Sequence, residues 1–263
     1  MKKIFLPFML VIFLITGCAG NKDSDKVGDT KLIIGIDDNY APMAFHDEKG
    51  ELVGFDIDLA RETANRMDVE VEFKPIDWSK KKEEITSGNI DIIWNGLDIT
   101  DERKEYMIFS KPYMKDRQII LVKAGNDQGI ITEGDMEGKI VGTQAGASPE
   151  NYINGNEELL NSLREFKTYP NFKEAFTALD SGEIDVLICG ELTARYEIGK
   201  TPGKFKVIEV TVGPVWEIGV GFRKDNVALR DRVQKAFDEI VKDGTAREIS
   251  EKWFQADLIN YKR

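Results

Sequence analysis

Residues 90–113, IDIIWNGLDITDERKEYMIFSKPY, concentrate the chemistry of this chain. The apolar run Ile90, Ile92, Ile93 and Trp94 reads as a buried strand that breaks at Asn95-Gly96. A polar turn then leads to Thr100, a side chain suited to capping a helix N-terminus. With that cap, Arg103 falls in the first helical turn, beside backbone N–H groups that no helix carbonyl satisfies. Orphan N–H groups and a guanidinium make a carboxylate site, because Arg grips a carboxylate through two parallel charge-assisted bonds. Spacing alone leaves a solvated surface Arg equally open, since exposed charges contribute little.

Strands and helices alternate around this stretch. Residues 31–36 read as a strand, 37–53 as loop and turn, and 55–66 as a helix with Ile57, Ala60 and Ala64 on its apolar face. A strand at 69–74, a helix at 78–87 closed by Gly88, and the 90–94 strand complete a βαβαβ order. That order predicts a parallel α/β sheet with binding residues in loops at the carboxyl ends of its strands. Residues 119–122 read as an extended crossing into a second lobe of the same logic. Its elements are a strand at 140–142, a mostly helical 149–163, a strand at 165–169, a helix at 172–179, a strand at 186–188 and a helix from Glu191. The chain returns near 207–212, rejoins the first lobe at 218–222 and closes with helices at 229–243 and 245–253. The expectation is an α/β chain of two lobes, each a mostly parallel sheet flanked by helices. Residues 30–119 and 213–263 form the first lobe and 120–212 the second, with two hinge crossings between them.

The N-terminus supplies an address. Lys2-Lys3, an apolar run from Ile4 to Ile15, and Leu14-Ile15-Thr16-Gly17-Cys18 fit a lipoprotein signal covering residues 1–17. The run is short for a membrane span, which needs about 20 apolar residues. A diacylglycerol on the Cys18 thiol gives two acyl chains, enough for stable anchoring. Residues 18–29 read as a flexible tether. The expected location is outside the cytoplasm, held to the cell membrane by lipid on Cys18. Cys189 is then the one thiol left, so no internal disulfide is expected, and its place after Val186-Leu187-Ile188 reads as a small buried hydrophobe.

Composition narrows the classes further. The net charge of −11, with no basic cluster, argues against nucleic acid and against a polybasic membrane patch. One histidine, His46 in a polar turn, makes a zinc site or a His-based triad an unsuitable reading. No Walker loop or G-x-G-x-x-G fingerprint occurs, and no cofactor or metal is expected.

The segment Gly96-Leu97-Asp98-Ile99-Thr100-Asp101-Glu102-Arg103, followed by Phe109-Ser110-Lys111-Pro112-Tyr113, resembles a family signature, roughly G-x-[ST]-x-T-x-E-R and a Phe-Ser-x-Pro-Tyr box. The family is the amino-acid-type extracellular solute-binding proteins, the receptor subunits of bacterial ABC importers. Further matches are Tyr40-Ala41-Pro42, Gly54-Phe55-Asp56-Ile57-Asp58-Leu59-Ala60, Lys139-Ile140-Val141-Gly142, Ser181-Gly182-Glu183-Ile184-Asp185 and Lys252-Trp253-Phe254, in the family's order. The resemblance implies a periplasmic-binding-protein-like type II fold with a ligand cleft at the hinge. It implies a monomeric receptor, not an enzyme, that captures a polar amino acid or a close relative and delivers it to ABC permease subunits.

Site residues follow by resemblance. Arg103 takes the ligand carboxylate, helped by backbone near Asp98 and Ser148; Asn95 and Gly96 line the cleft. Tyr40 packs on the ligand side chain, and Gln144, Ala147 and Ser148 form the second-lobe loop at a helix N-terminus. Two positions depart from the pattern. The family's ammonium-receiving Asp is Gly190 here, followed by Glu191, and the family's Ser or Thr is Asp98. A buried ammonium without a counter-charge is costly, so Asp98 is expected to supply the missing charge. The alternative is that Asp98 pairs with Arg103, which changes the ligand to a non-standard amine or carboxylate. A dehydratase-like enzyme using Asp98 and Glu191 as acid and base is the reading from another class.

Overall fold

The structure, a computed structural model, describes residues 31–127 and 129–260. The signal, the tether and Cys18 lie outside the described residues.

The chain opens with β1 (Lys31–Ile36), followed by β2 (Asn39–Tyr40), β3 (Ala44–His46) and β4 (Leu52–Val53). These three short strands form an antiparallel sheet of their own where the sequence suggested only loop and turn. Then come α1 (Phe55–Met67), β5 (Glu70–Pro75), α2 (Lys81–Ser87) and β6 (Ile92–Ile93). A 3-10 turn from Trp78 to Lys80, capped by Asp77, leads into α2. α3 (Asp101–Lys104), β7 (Met107–Phe109) and the long β8 (Met114–Lys123) follow.

The second half contains β9 (Ile140–Gln144), α4 (Ser148–Asn154), α5 (Glu157–Ser162), β10 (Glu165–Tyr169), α6 (Phe172–Ser181), β11 (Val186–Gly190) and α7 (Glu191–Lys200). The helical stretch expected over 149–163 is broken at Gly155, and Asn156 starts α5 by accepting the Leu159 N–H at 3.2 Å. β12 (Phe205–Ile218), β13 (Gly221–Arg223), α8 (Val227–Lys242) and α9 (Thr245–Phe254) complete the chain.

Two five-stranded sheets result, in the orders β5-β1-β6-β13-β7 and β10-β9-β11-β8-β12. Each is mixed. β1 pairs in parallel with β5 and β6, and β9 with β10 and β11, as alternating strands and helices dictate. The remaining pairings are antiparallel, because β8, β12 and β13 carry the chain across and back. β8 and β12 pair along their length, from Phe205 opposite Lys123 to Ile218 opposite Met114, with register breaks between Ile208 and Thr211 and between Val212 and Val215. They are the two connections between the lobes.

Burial explains the runs of consecutive apolar residues. Ile119 and Leu121 of β8, with Leu187 and Cys189 of β11, pack under α6 beside Phe176 and Phe205. Their neighbours Ile120, Val122, Val186 and Ile188 pack on the opposite face with Ile153 and Leu159. Side chains alternate across a strand, so a sheet covered on both faces needs apolar residues at every position. The first lobe is organised around Phe55, Trp94, Tyr113, Phe222 and Phe237. Trp94 belongs to this core, with its ring centroid 5.8 Å from Phe237 and 6.3 Å from Tyr113.

Candidate functional site

The loops after β1, β6 and β9 meet at one cleft. One wall carries Asp37, Tyr40, Trp78, Asn95, Gly96, Asp98 and Arg103, and the other Gln118, Gln144, Ala147, Ser148, Pro149 and Phe172.

The loop after β6 is held from behind. Asp56, in the first turn of α1, accepts the Gly96 N–H at 2.5 Å on Oδ2 and the Tyr113 hydroxyl at 2.8 Å on Oδ1. Burial pushes the Asp56 carboxyl up to about 7, against the pull of the Tyr113 and Gly96 donors. Gly96 has φ +54, and a Cβ there would come within 2.8 Å of the Tyr40 ring, so this position needs glycine for both reasons. Further along, the Ile99 N–H donates to Glu217 O at 2.8 Å and the Gly219 N–H to Leu97 O at 3.1 Å. The loop is thereby stitched to the end of β12.

Thr100 caps α3, its hydroxyl oxygen accepting the Arg103 N–H at 3.2 Å. Arg103 is not a surface residue; it is 1% exposed. Its Nη1 donates to the main-chain oxygen of Asp98 at 2.8 Å and its Nη2 to Gly146 O at 3.3 Å, while Nε is buried with no partner. Asn95 is fully buried beside it, and both polar atoms of its side chain lack partners. Buried polar groups are seldom left unsatisfied, so these three atoms mark a place built for polar chemistry.

Several bonds cross the cleft. The Asp98 carboxylate accepts the Ser148 hydroxyl. Burial raises the Asp98 carboxyl, opposed by Arg103, the Ser148 bond and Lys81. The side chain that was expected either to pair with Arg103 or to receive an ammonium is thus engaged by the opposite wall, and the guanidinium holds the Asp98 carbonyl instead. Gln144 Nε2 donates to Asp37, whose other oxygen accepts the Asn39 N–H at 2.9 Å. Lys81 Nζ reaches Gly146 O at 2.6 Å and Trp78 O at 3.1 Å. Burial and the nearby Arg103 lower the Lys81 ammonium to about 7. Tyr40 stacks on Phe172 with ring centroids 5.5 Å apart and planes at 28°.

Of the residues expected from the sequence, Tyr40, Asn95, Gly96, Asp98, Arg103, Gln144, Ala147 and Ser148 line this one cleft. Gly190 stands just outside it at the end of β11; a Cβ there would lie 3.3 Å from the Tyr40 hydroxyl. Glu191 opens α7 and, unlike Asp98, does not line the cleft. Its carboxylate is clamped by Arg117 (Nε to Oε2, 2.6 Å) and by Arg195 (Nη2 to Oε1, 2.5 Å), and the Arg117 bond leads in holding its pKa down. The pair required for an acid–base reading is therefore not brought together. His46 sits 3.6 Å from Asp38, and no group of metal-binding residues occurs among the described residues.

Asp37, Trp78, Gln118, Pro149 and Phe172 were not singled out as site residues. Asp37 and Trp78 carried a legible signal, an acid closing a strand and an aromatic after a Pro-x-Asp turn. Gln118 was legible only as a polar interruption of an apolar strand.

Comparison with known proteins fits this geometry. The model of the bacterial extracellular solute-binding proteins, family 3, matches residues 32–256, and the chain belongs to that family. It is 34% identical to the L-cystine-binding protein TcyJ of Escherichia coli strain K12 over 86% of this chain and 84% of that one. It is 30% identical to the histidine-binding periplasmic protein of Salmonella typhimurium, over 98% and 99% of the two chains. Among solved structures, a substrate-binding protein of an ABC uptake transporter from Streptococcus pneumoniae with bound histidine superposes with a TM-score of 0.83 at 36% identity, covering 88% of this chain and 95% of that one.

The buried Asp56 yields a pH prediction. Its folded pKa of about 7 exceeds the ordinary carboxyl value of 3.8, so the folded state holds the extra proton between those values. Its contribution to stability is complete below pH 4 and is lost as pH rises to 7, with a slope of up to about 1.4 kcal/mol per unit. In urea unfolding at fixed pH, wild type should lose stability relative to Asp56→Asn across that window. A difference that stays flat from pH 4 to 7 would contradict the assignment.

Proposed function

We propose that this chain captures an α-amino acid in the cleft and presents it to an ABC-type permease. The observation that carries the reading is the buried, partly unpaired Arg103 beside the unpaired Asn95, facing carboxylates on the same cleft. A zwitterion meets both needs: its carboxylate takes the guanidinium, and its ammonium takes an aspartate. The family membership and the histidine- and cystine-binding relatives support the same ligand class. Tyr40 and Phe172 supply aromatic surface for the ligand side chain. Closure of two lobes about a hinge is the motion such a cleft uses.

The test is thermal unfolding with the common L-amino acids and L-cystine, each added to protein stripped of small molecules. A ligand at 100 times its Kd adds about 2.7 kcal/mol, or roughly 5–10 °C for a chain of this size. One amino-acid group should give such a shift and Arg103→Met should abolish it. A shift only from compounds lacking an α-carboxylate or an α-ammonium would reject the amino-acid reading.

We further propose that the receptor works outside the cytoplasm, anchored by lipid on Cys18. The signal-like residues 1–17 and the acidic, patch-free composition support this reading. No helix among the described residues is long and apolar enough to cross a membrane. Expressed in bacteria, the wild type should fractionate with membranes and Cys18→Ala should not; equal membrane retention of the two would reject the lipid anchor.

A further inference from the structure

Gly190 is the position at which the sequence lacks an acidic side chain, and the structure shows what stands there instead. A Cβ built on Gly190 would overlap Oδ2 of Asp116. The missing side chain thus leaves room for a carboxylate arriving from the neighbouring strand. Asp116 lies on β8, the first hinge strand, two residues before Gln118, which pairs directly with Gly190. Residues two apart on a strand share a face, and Gln118 lines the cleft. Asp116 is therefore the next side chain on the cleft-facing side of the strand.

Its surroundings lack a cation. Asp116 is 7% exposed, and its Oδ1 accepts the Arg117 N–H at 2.9 Å. The Arg117 guanidinium points elsewhere, to Glu191 at 2.6 Å and Glu209 at 2.9 Å. Burial, then the nearby Asp98, raise the Asp116 carboxyl to about 7 against main-chain donors at Arg117 and Glu191, and no cation among the described residues joins those donors. The other aspartates at the cleft are differently engaged. Both Asp37 oxygens accept bonds, and Asp98 is bonded to Ser148 and offset by Arg103 and Lys81. Of the three aspartates Asp37, Asp98 and Asp116, Asp116 is the one with neither a side-chain donor nor a cation beside it.

We propose that Asp116, supplied by the hinge strand into the space left open by Gly190, receives the α-ammonium of the bound amino acid. This rests on the amino-acid reading above. It moves the counter-charge from the position expected for Asp98 to β8, a strand that belongs to the hinge itself.

The test is calorimetric titration of the full-length protein with the common L-amino acids and L-cystine, then with the tightest binder and its desamino counterpart. Asp116→Asn should weaken the amino acid by on the order of 100-fold and leave the desamino compound unchanged. The relocated pair Asp116→Ser/Gly190→Asp should recover affinity to within about tenfold of wild type. Gly190 has φ −59, so its backbone accepts an aspartate once Asp116 is shortened. A purely structural role for Asp116 predicts no such recovery. The relocated pair also keeps the test open if Asp116→Asn does not fold. Wild-type affinity in Asp116→Asn, or no recovery in the relocated pair, overturns the inference while leaving the receptor reading intact. Failure of wild type to bind any amino acid overturns both.

Discussion

The guanidinium of Arg103 is the constraint on which the rest of this structure depends. A charge that is 1% exposed has given up its hydration, and two neutral carbonyl oxygens restore only part of it. Such a group is tolerated when its surroundings are held rigidly, because a loop free to relax would return it to water. The surroundings are held. Thr100 fixes the turn that carries Arg103, Asp56 fixes Gly96, and main-chain bonds tie the intervening residues to β12. On the proposed reading, a ligand carboxylate would meet donors already in place, so little of its binding free energy would be spent on ordering the protein.

The hinge strands connect that local chemistry to the whole molecule. β8 and β12 pair along their length and also border the site: Gln118 lines it, Asp116 stands behind it, and Ile218 bridges to Asp98. Cross-cleft bonds from Lys81 and Arg103 converge on one acceptor, the Gly146 carbonyl. Two cations of one wall thereby hold a main-chain carbonyl of the other, which couples the position of one wall to the charge on its opposite. In such an arrangement, a ligand that bridges the walls favours the closed geometry by the difference in its affinity for the two states.

Much of this was legible in the chain because it is written in local rules. The Thr100 cap, the Gly88 helix end and the apolar β8 and β11 runs each follow from a few adjacent residues. The three-stranded antiparallel sheet was not legible, since its strands are two or three residues long and show no alternation to count. The relation of Asp116 to Gly190 was hidden for a different reason. It exists only through the pairing of strands some 70 residues apart, and strand register is set by tertiary packing. Likewise, the engagement of Glu191 depends on Arg117 arriving from that same distant strand.

The central claim is that Arg103 binds a ligand carboxylate. It is tested most directly by comparing calorimetric affinity for the tightest-binding L-amino acid with that for its C-terminal amide, which keeps the ammonium and the side chain but has no carboxylate charge. The account predicts at least a 100-fold loss, about 2.7 kcal/mol. Equal affinity for the two would mean that the buried guanidinium serves the fold and not the ligand.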